Sequence, residues 1–341
     1  MRIKDIAHEA GVSTATVSHV INKTKYVSEP TRERVNKAIK KFNYHPNAHA
    51  QSLALGKSKI IGLLVSDISN PWFPELIKSI EAAVIASGYN LFLLNTNYDK
   101  DRTLEYVHRL IQMKVAGIIL MVAEFDEALI TEAKRKRTSF VFQDLGFVGE
   151  RVSNIILDYS VGVDEAVQHL VELGHTDIAH IAGSHEIHSA GVRQKAFQDA
   201  MKRHQPKAAA PKVYEGDFRF EGGSLAASQI LEEKTLPTAV VVANDLMALG
   251  AMQQFKAAGL HIPQDISIVG FDDISFASLS EPPLTTVCSP RTEMGRRAFE
   301  ALLPTIDDPH QMGVEIKVPT YLIKRGSTAK PRKVKDPRRK A

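Results

Sequence analysis

Six short stretches hold the residues best equipped for chemistry: Asp67 to Phe73, Asp144, the loop from His185 to Arg193, Asp217 with Phe218, Asn244 with Asp245, and Asp272 with Asp273. All six carry a carboxylate, and between them they hold three rings (Trp72, Phe73, Phe218) and one arginine, Arg193. Such a mixture suits a hydroxyl-rich ring. Aromatic faces cover its apolar side, carboxylates accept from its hydroxyls, and a guanidinium donates a fork of hydrogen bonds. This is equipment for holding a molecule, and the motifs of turnover are missing. The chain has no GxxxxGK[ST] phosphate loop, no GxGxxG after its first apolar run and no HExxH. His175, His180, His185 and His188 cluster in sequence, but a turn followed by a strand gives them no common face for a metal. The reading is therefore a non-enzyme without cofactor or metal.

The elements that must position these residues follow from the apolar pattern. IIGLLV (60–65) is a continuous apolar run, the mark of a strand buried on both faces. NLFLLNT (90–96), GIILMV (117–122), SFVFQD (139–144) and NIILD (154–158) follow, with helices expected from about 74 to 86, 101 to 113 and 126 to 136. The alternation then restarts: DIAHIAG (177–183), VYEGD (213–217), AVVVAND (239–245) and SIVGFDD (267–273), spaced by helices at 160–173, 189–203, 221–233 and 246–258. Strands alternating with helices of this length predict parallel sheets with right-handed crossovers, and two such sets predict two doubly wound lobes. LTTVCSP (284–290) should cross back to the first lobe, before a helix at about 291–303 and the strand VEIKVP (314–319). In open parallel sheets ligands bind beyond the carboxyl ends of the strands, which is where the six stretches fall. Asp245 has a second reading, as the cap of a helix starting at Leu246, and Asp273 one as a solvent or lobe contact. Trp72 has one as packing at the lobe rim.

Ahead of this core stands a different pattern. Ile3, Ile6, Ala7 and Ala10 recur at helical spacing, Gly11 breaks the helix, and Ser13 is a natural N-cap for a second helix from about Thr14 to Asn22. Val17, Val20 and Ile21 form its inner face. Thr14, Ala15, Ser18 and His19 lie outside, small or hydrogen-bonding, where a recognition helix meets base edges. A third helix, Glu29 to Phe42, opens with Ser28 as cap and Pro30 in its first turn. Next comes YHPNAHAQSLALGK, in which Pro46 can start a short helix that is marginal alone.

The run GVSTATVSHVINKTKYVSEPTRERV resembles the head of the lactose-repressor/galactose-repressor family of bacterial transcription regulators. STATVSHVINKT is most similar to the family's purine-repressor members, and the likeness extends from Ile3 to about Ser327. It implies an all-α helix-turn-helix head joined to an α/β core of the periplasmic-binding-protein type. It also implies a repressor that works as a homodimer on a pseudo-palindromic double-stranded operator with a central CG step. Ser13, Thr14, Ala15, Thr16, Ser18, His19 and Asn22 would meet DNA from the head. From the hinge, Asn47, Ala50 and Gln51 would lie along the groove or backbone while Leu53 wedges between base steps from the minor groove and bends the duplex. Trp72, Phe73, Ser189, Arg193, Phe218, Asp245 and Asp272 fall where family members hold their small-molecule effector. One departure bears on which effector. Purine-responsive members carry an additional arginine before Arg193, and this chain has Ile187 there with His188 next. That favours a sugar or sugar derivative over a purine base.

Composition agrees with this division. Residues 1–59 hold 11 Lys/Arg against 4 Asp/Glu (+7), residues 324–341 hold 9 against 1 (+8), and residues 60–323 hold 23 against 34 (−11). A basic head on an acidic core directs phosphate binding to the head. The single cysteine, Cys288, permits no disulfide within the chain and reads as a small buried hydrophobe. No run of roughly 18 apolar residues is present, and MRIKDIAHEAG is no signal peptide, so the expected compartment is the cytoplasm. This sets the chain apart from a sugar-transport binding protein, whose core would read alike. The expected domains are a head over 1–45, a hinge over 46–58 and a core over 59–325. Lobe 1 would take about 59–158 and 290–319, and lobe 2 about 159–287 and 320–325, with a basic disordered tail over 326–341. If Leu53 is the wedge, Leu53→Ala weakens binding to a palindromic operator while leaving binding to random duplex largely intact. Equal losses on both duplexes in a filter-binding or anisotropy assay would remove that role.

Overall fold

The computed structural model describes residues 2–22, 24–44, 58–124, 127–135, 138–144, 146–207, 209–308 and 310–332. The head is three helices, α1 (Ile3–Ala10), α2 (Thr14–Asn22) and α3 (Glu29–Lys41). They close over a small core of Ile6, Ala7, Ala10, Val17, Val35 and Ala38. The turn between the first two requires Gly11, whose φ of 62° is left-handed and whose amide donates to the carbonyls of Ala7 and His8. The proposed hinge residues Asn47, Ala50, Gln51 and Leu53 lie outside the described residues.

The core holds two six-stranded sheets. The first contains β1 (Ile60–Val65), β2 (Asn90–Asn95), β3 (Gly117–Met121), β4 (Ser139–Gln143), β5 (Val152–Asp158) and β11 (Glu315–Pro319). Its order is β11-β5-β4-β3-β1-β2 and every pairing is parallel. The second contains β6 (Ile178–Ala182), β7 (Val213–Glu215), β8 (Ala239–Val242), β9 (Ser267–Asp272), β10 (Thr285–Cys288) and β12 (Tyr321–Ile323). Its order is β12-β10-β9-β8-β6-β7, with only β12 antiparallel. The chain passes between sheets after Asp158, after Cys288 and after Pro319, always at the edge where β5 and β11 face the β10–β12 side. The inner strands are buried on both faces because helices cover them, while the edge strands β2, β7, β11 and β12 are partly exposed. Of these helices, α4 (Trp72–Ala86), α5 (Lys100–Gln112), α6 (Glu127–Arg135) and α12 (Arg291–Asp307) belong to the first sheet's part of the chain. α7 (Tyr159–Leu173), α8 (His188–His204), α9 (Phe220–Leu231), α10 (Asp245–Ala257) and the short α11 (Ser275–Leu279) belong to the second.

Three details differ from the sequence reading. α4 begins at Trp72 rather than Pro74, because Asn70 Oδ1 accepts from the Trp72 amide at 3.0 Å and closes the first turn, where Pro74 lacks only a dispensable N–H. α11 had no periodicity long enough to announce it. The expected disordered tail is also wrong for its first part. Ser327 is fully buried, its hydroxyl donating to Ile268 O at 2.6 Å and accepting from Thr285 N at 2.8 Å. Ala329 O accepts from His175 Nε2 at 2.8 Å, and Arg332 pairs with Asp265 at 2.5 Å. Residues 326–332 carry no apolar period because their order comes from hydrogen bonds to the second sheet. Ser327→Ala leaves a buried carbonyl and amide without their partner and is expected to lower stability by about 1–3 kcal/mol. Urea unfolding checks this, and an unchanged midpoint would show the contact contributes nothing.

Candidate functional site

In the head, Ser13 caps α2: its Oγ accepts from Thr16 N at 3.1 Å and lies 2.9 Å from Thr16 Oγ1. Thr14 and Ala15 are exposed beside it. Further along, Asn22 Nδ2 donates to Ser18 Oγ at 3.1 Å and His19 Nδ1 lies 2.9 Å from Thr24 Oγ1. Ser13, Thr14 and Ala15 are exposed and Thr16, Ser18, His19 and Asn22 half-buried, while Val17 is the fully buried residue of α2.

Between the lobes lies a cavity enclosing about 590 Å³ including its open mouth. Asn70, Trp72, Phe73, Tyr98, Gln143 and Asp144 line it from the first lobe, and Tyr159, His188, Ser189, Arg193, Phe218 and Asp272 from the second. Arg193 leaves the second turn of α8 and is nearly withdrawn from water. Its guanidinium lies 4.3 Å from the Phe271 ring centroid, with Tyr159 at 5.1 Å and Phe218 at 5.4 Å. Nη1 donates to Ala243 O and stands 3.5 Å from Asp272 Oδ1. That carboxylate oxygen accepts no hydrogen bond among the described residues. Burial raises the Asp272 carboxyl to about 6, with Arg193 and Arg291 pulling the other way.

The walls are held from behind. Asn244, not Asp245, caps α10, its Oδ1 accepting from Met247 N at 2.9 Å. Its amide donates to Phe218 O at 2.9 Å and fixes Phe218 in a left-handed φ of 65°. The Phe218 ring lies so close to Gly183 that a Cβ there would meet it at 2.4 Å. Trp72 Nε1 donates to Ser289 Oγ at 2.5 Å and its ring meets Phe73 edge-on at 4.9 Å. Arg219 reaches across the mouth to Tyr98, 5.7 Å from its ring.

Six of the seven residues named for an effector come together here: Trp72, Phe73, Ser189, Arg193, Phe218 and Asp272. Asp245 does not. It is fully buried at the start of α10, accepts from Ile274 N at 2.9 Å and Thr286 Oγ1 at 2.5 Å, and points away from the cavity into the second lobe. Desolvation and the Asp272 charge raise its carboxyl well above the usual range. Asp273 is half-buried outside the cavity and pairs with Arg325 at 2.6 Å. Tyr98, Gln143 and Tyr159 were missed, although each lies at or just past the carboxyl end of a strand, and extending that rule by three residues finds them. Ile187 sits at the N-cap position of α8, and the next residue, His188, lines the cavity.

Comparison with known proteins agrees with both halves. The profile for bacterial regulatory proteins of the lacI family matches residues 2–47, and that for a periplasmic binding protein-like domain matches residues 167–328. The HTH-type transcriptional repressor PurR of Pectobacterium carotovorum is 39% identical over 329 residues, 96% of each chain. The chain belongs to the lacI family. The ribose operon repressor of Escherichia coli K12 is likewise 39% identical, over 95% of this chain and 99% of its own. Among solved structures, the lac repressor dimer bound to operator and the anti-inducer ONPF superposes with a TM-score of 0.85 at 32% identity, covering 96% of this chain and 99% of that one. This lacI-family member is therefore a DNA-binding transcription regulator with a helix-turn-helix head and a two-lobed ligand-binding core.

Asp272 gives the site a pH signature. A carboxyl raised to about 6 favours folding while protonated, so its contribution is complete below the unfolded value and is lost as pH rises through 6. Between pH 4 and 7 the wild type is expected to lose on the order of 2–3 kcal/mol relative to Asp272→Asn. Parallel urea-unfolding profiles for the two proteins would refute this.

Proposed function

We propose that this regulator is a cytoplasmic homodimeric repressor whose operator affinity is set by a sugar or sugar derivative bound between its lobes. It acts by binding and not by catalysis. The observation that carries the ligand reading is Arg193, held over Phe271 beside an Asp272 oxygen with no hydrogen bond, between Trp72, Phe73 and Phe218. A hydroxyl can donate to Asp272 and accept from Arg193 while the ring's apolar face lies on the aromatics. Ile187 in place of a second arginine, and the likeness to a ribose operon repressor, support a sugar. The equal likeness to PurR supports the second reading, a purine base.

On the DNA side, each head lays α2 in the major groove of one half-site of a pseudo-palindrome, with Ser13, Thr14, Ala15, Thr16, Ser18, His19 and Asn22 facing bases and phosphates. Asn47, Ala50 and Leu53 act between the half-sites in the minor groove. Ligand binding shifts the closure of the lobes and so the spacing of the two hinges. Trp72, the only tryptophan, lines the cavity and reports occupancy by fluorescence. Titration with pentoses, hexoses, their phosphates, nucleosides and purine bases is expected to show a saturable change with a sugar that also releases or tightens a labelled operator. A response to purine bases alone would establish the second reading. Arg193→Ala should abolish the response while leaving operator binding by the unresponsive state intact, and a normal response in that variant would remove Arg193 from the site.

A further inference from the structure

His180 lies in the middle of β6, buried, away from the cavity wall. Its ring stacks on Phe197 at 4.7 Å and 17°. Phe197 follows Arg193 by one turn of α8, so the two side chains share a helix face over the same strand. His180 Nδ1 lies 2.8 Å from Val241 O. A carbonyl only accepts, so Nδ1 carries the proton and the neutral ring presents Nε2 as an acceptor. Two residues further along that backbone, Ala243 O accepts from Arg193 Nη1. The two side chains are thus anchored to carbonyls about 7 Å apart on one extended segment. Each also has a buried nitrogen with no hydrogen bond among the described residues: His180 Nε2, an acceptor, and Arg193 Nε, a donor. Burial first, and then the Arg193 charge, pull the imidazole down to about 4, which keeps Nε2 unprotonated at neutral pH.

We propose that His180 is the positioning residue of the effector site. Its Nε2 accepts from one bridging water that in turn accepts from Arg193 Nε–H, and this holds the guanidinium over Phe271 with its Nη groups turned to Asp272 and the cavity. The consequence for ligand affinity rests on the reading of Arg193 as an effector contact; the hydrogen bond itself does not.

The test uses the full-length, ligand-free protein labelled with ¹⁵N at histidine and arginine, with Arg193→Lys identifying the Arg193 Nε–H resonance. The expected spectrum shows His180 protonated at Nδ1 and bare at Nε2. In His180→Phe, which keeps a ring on Phe197, the Arg193 Nε proton should exchange with solvent about tenfold faster. A protonated Nε2, or equal exchange in both proteins, overturns the proposal. If His180→Phe fails to fold, the wild-type tautomer still decides. D-ribose followed by Trp72 fluorescence then reads function. Half-saturation about tenfold higher in His180→Phe is expected, and equal affinity overturns the positioning role. A wild type indifferent to D-ribose counts against the sugar reading alone, and the exchange rates still decide His180.

Discussion

Taking a guanidinium out of water is costly unless its charge and its donors are met, and the inter-lobe site is built around two that have left it. Arg193 is met by three aromatic rings, a carbonyl and the Asp272 carboxylate. Arg291, at the start of α12, donates to the carbonyl of Asp272, to that of Asp273 at 2.7 Å, and to Glu75 Oε2 at 2.7 Å. Asp272 is therefore touched by one arginine at its side chain and by the other at its backbone. Glu75 belongs to α4, the helix that begins with Trp72 and Phe73. A change in charge or partner at Asp272 is felt through Arg291 by the opposite lobe, without any long chain of intermediates.

The backbone of the site carries a matching cost. Asn97, Tyr98, Asp144, Phe218, Asp272 and Asp273 all adopt left-handed φ without being glycine, and all lie at or just past the carboxyl ends of strands around the cavity. Such conformations persist only where the surroundings over-determine them. Here the determinants are visible: Leu157 N donates to Asp144 Oδ1 at 3.0 Å, Tyr159 Oη donates to Asp144 Oδ2 at 2.6 Å, and Asn244 holds Phe218. These residues turn side chains into the crevice that a regular strand-to-helix turn would send elsewhere.

The fold class was legible because it rests on repetition: apolar runs such as IIGLLV and AVVV separated by amphipathic helices can form little else than parallel sheets. The head was legible because Gly11 and Ser13 each have one dominant use at a helix-turn-helix corner. The strand-end rule brought six effector candidates to the cavity and failed for Asp245, where helix register turns the side chain inward to Ile274 N and Thr286. That register, and the choice of Asn244 over Asp245 as cap, depend on contacts with Phe218, Ile274 and Thr286, between 26 and 41 residues away, which no local pattern encodes. His180 was weighed only as a metal ligand, since its partner Arg193 is adjacent in space and not in sequence. The tail misled for the opposite reason: its composition is that of a solvated segment, and only the second sheet's unpaired groups give Ser327 and Ala329 their partners.

The three passages between lobes all leave the same edge of the first sheet, and β2 is the strand furthest from them. Six strands at ~4.8 Å spacing put that far edge about 24 Å from the crossings. The core therefore has the mechanics of a lever with its fulcrum at Asp158, Cys288 and Pro319. A turn of ten degrees about that line, too small to disturb the paired strands beside it, carries the exposed Phe92 and Leu93 on β2 through roughly 4 Å, given that arm. Tyr98, three residues past the end of β2, lines the cavity, so the same turn moves one wall of the crevice together with that edge.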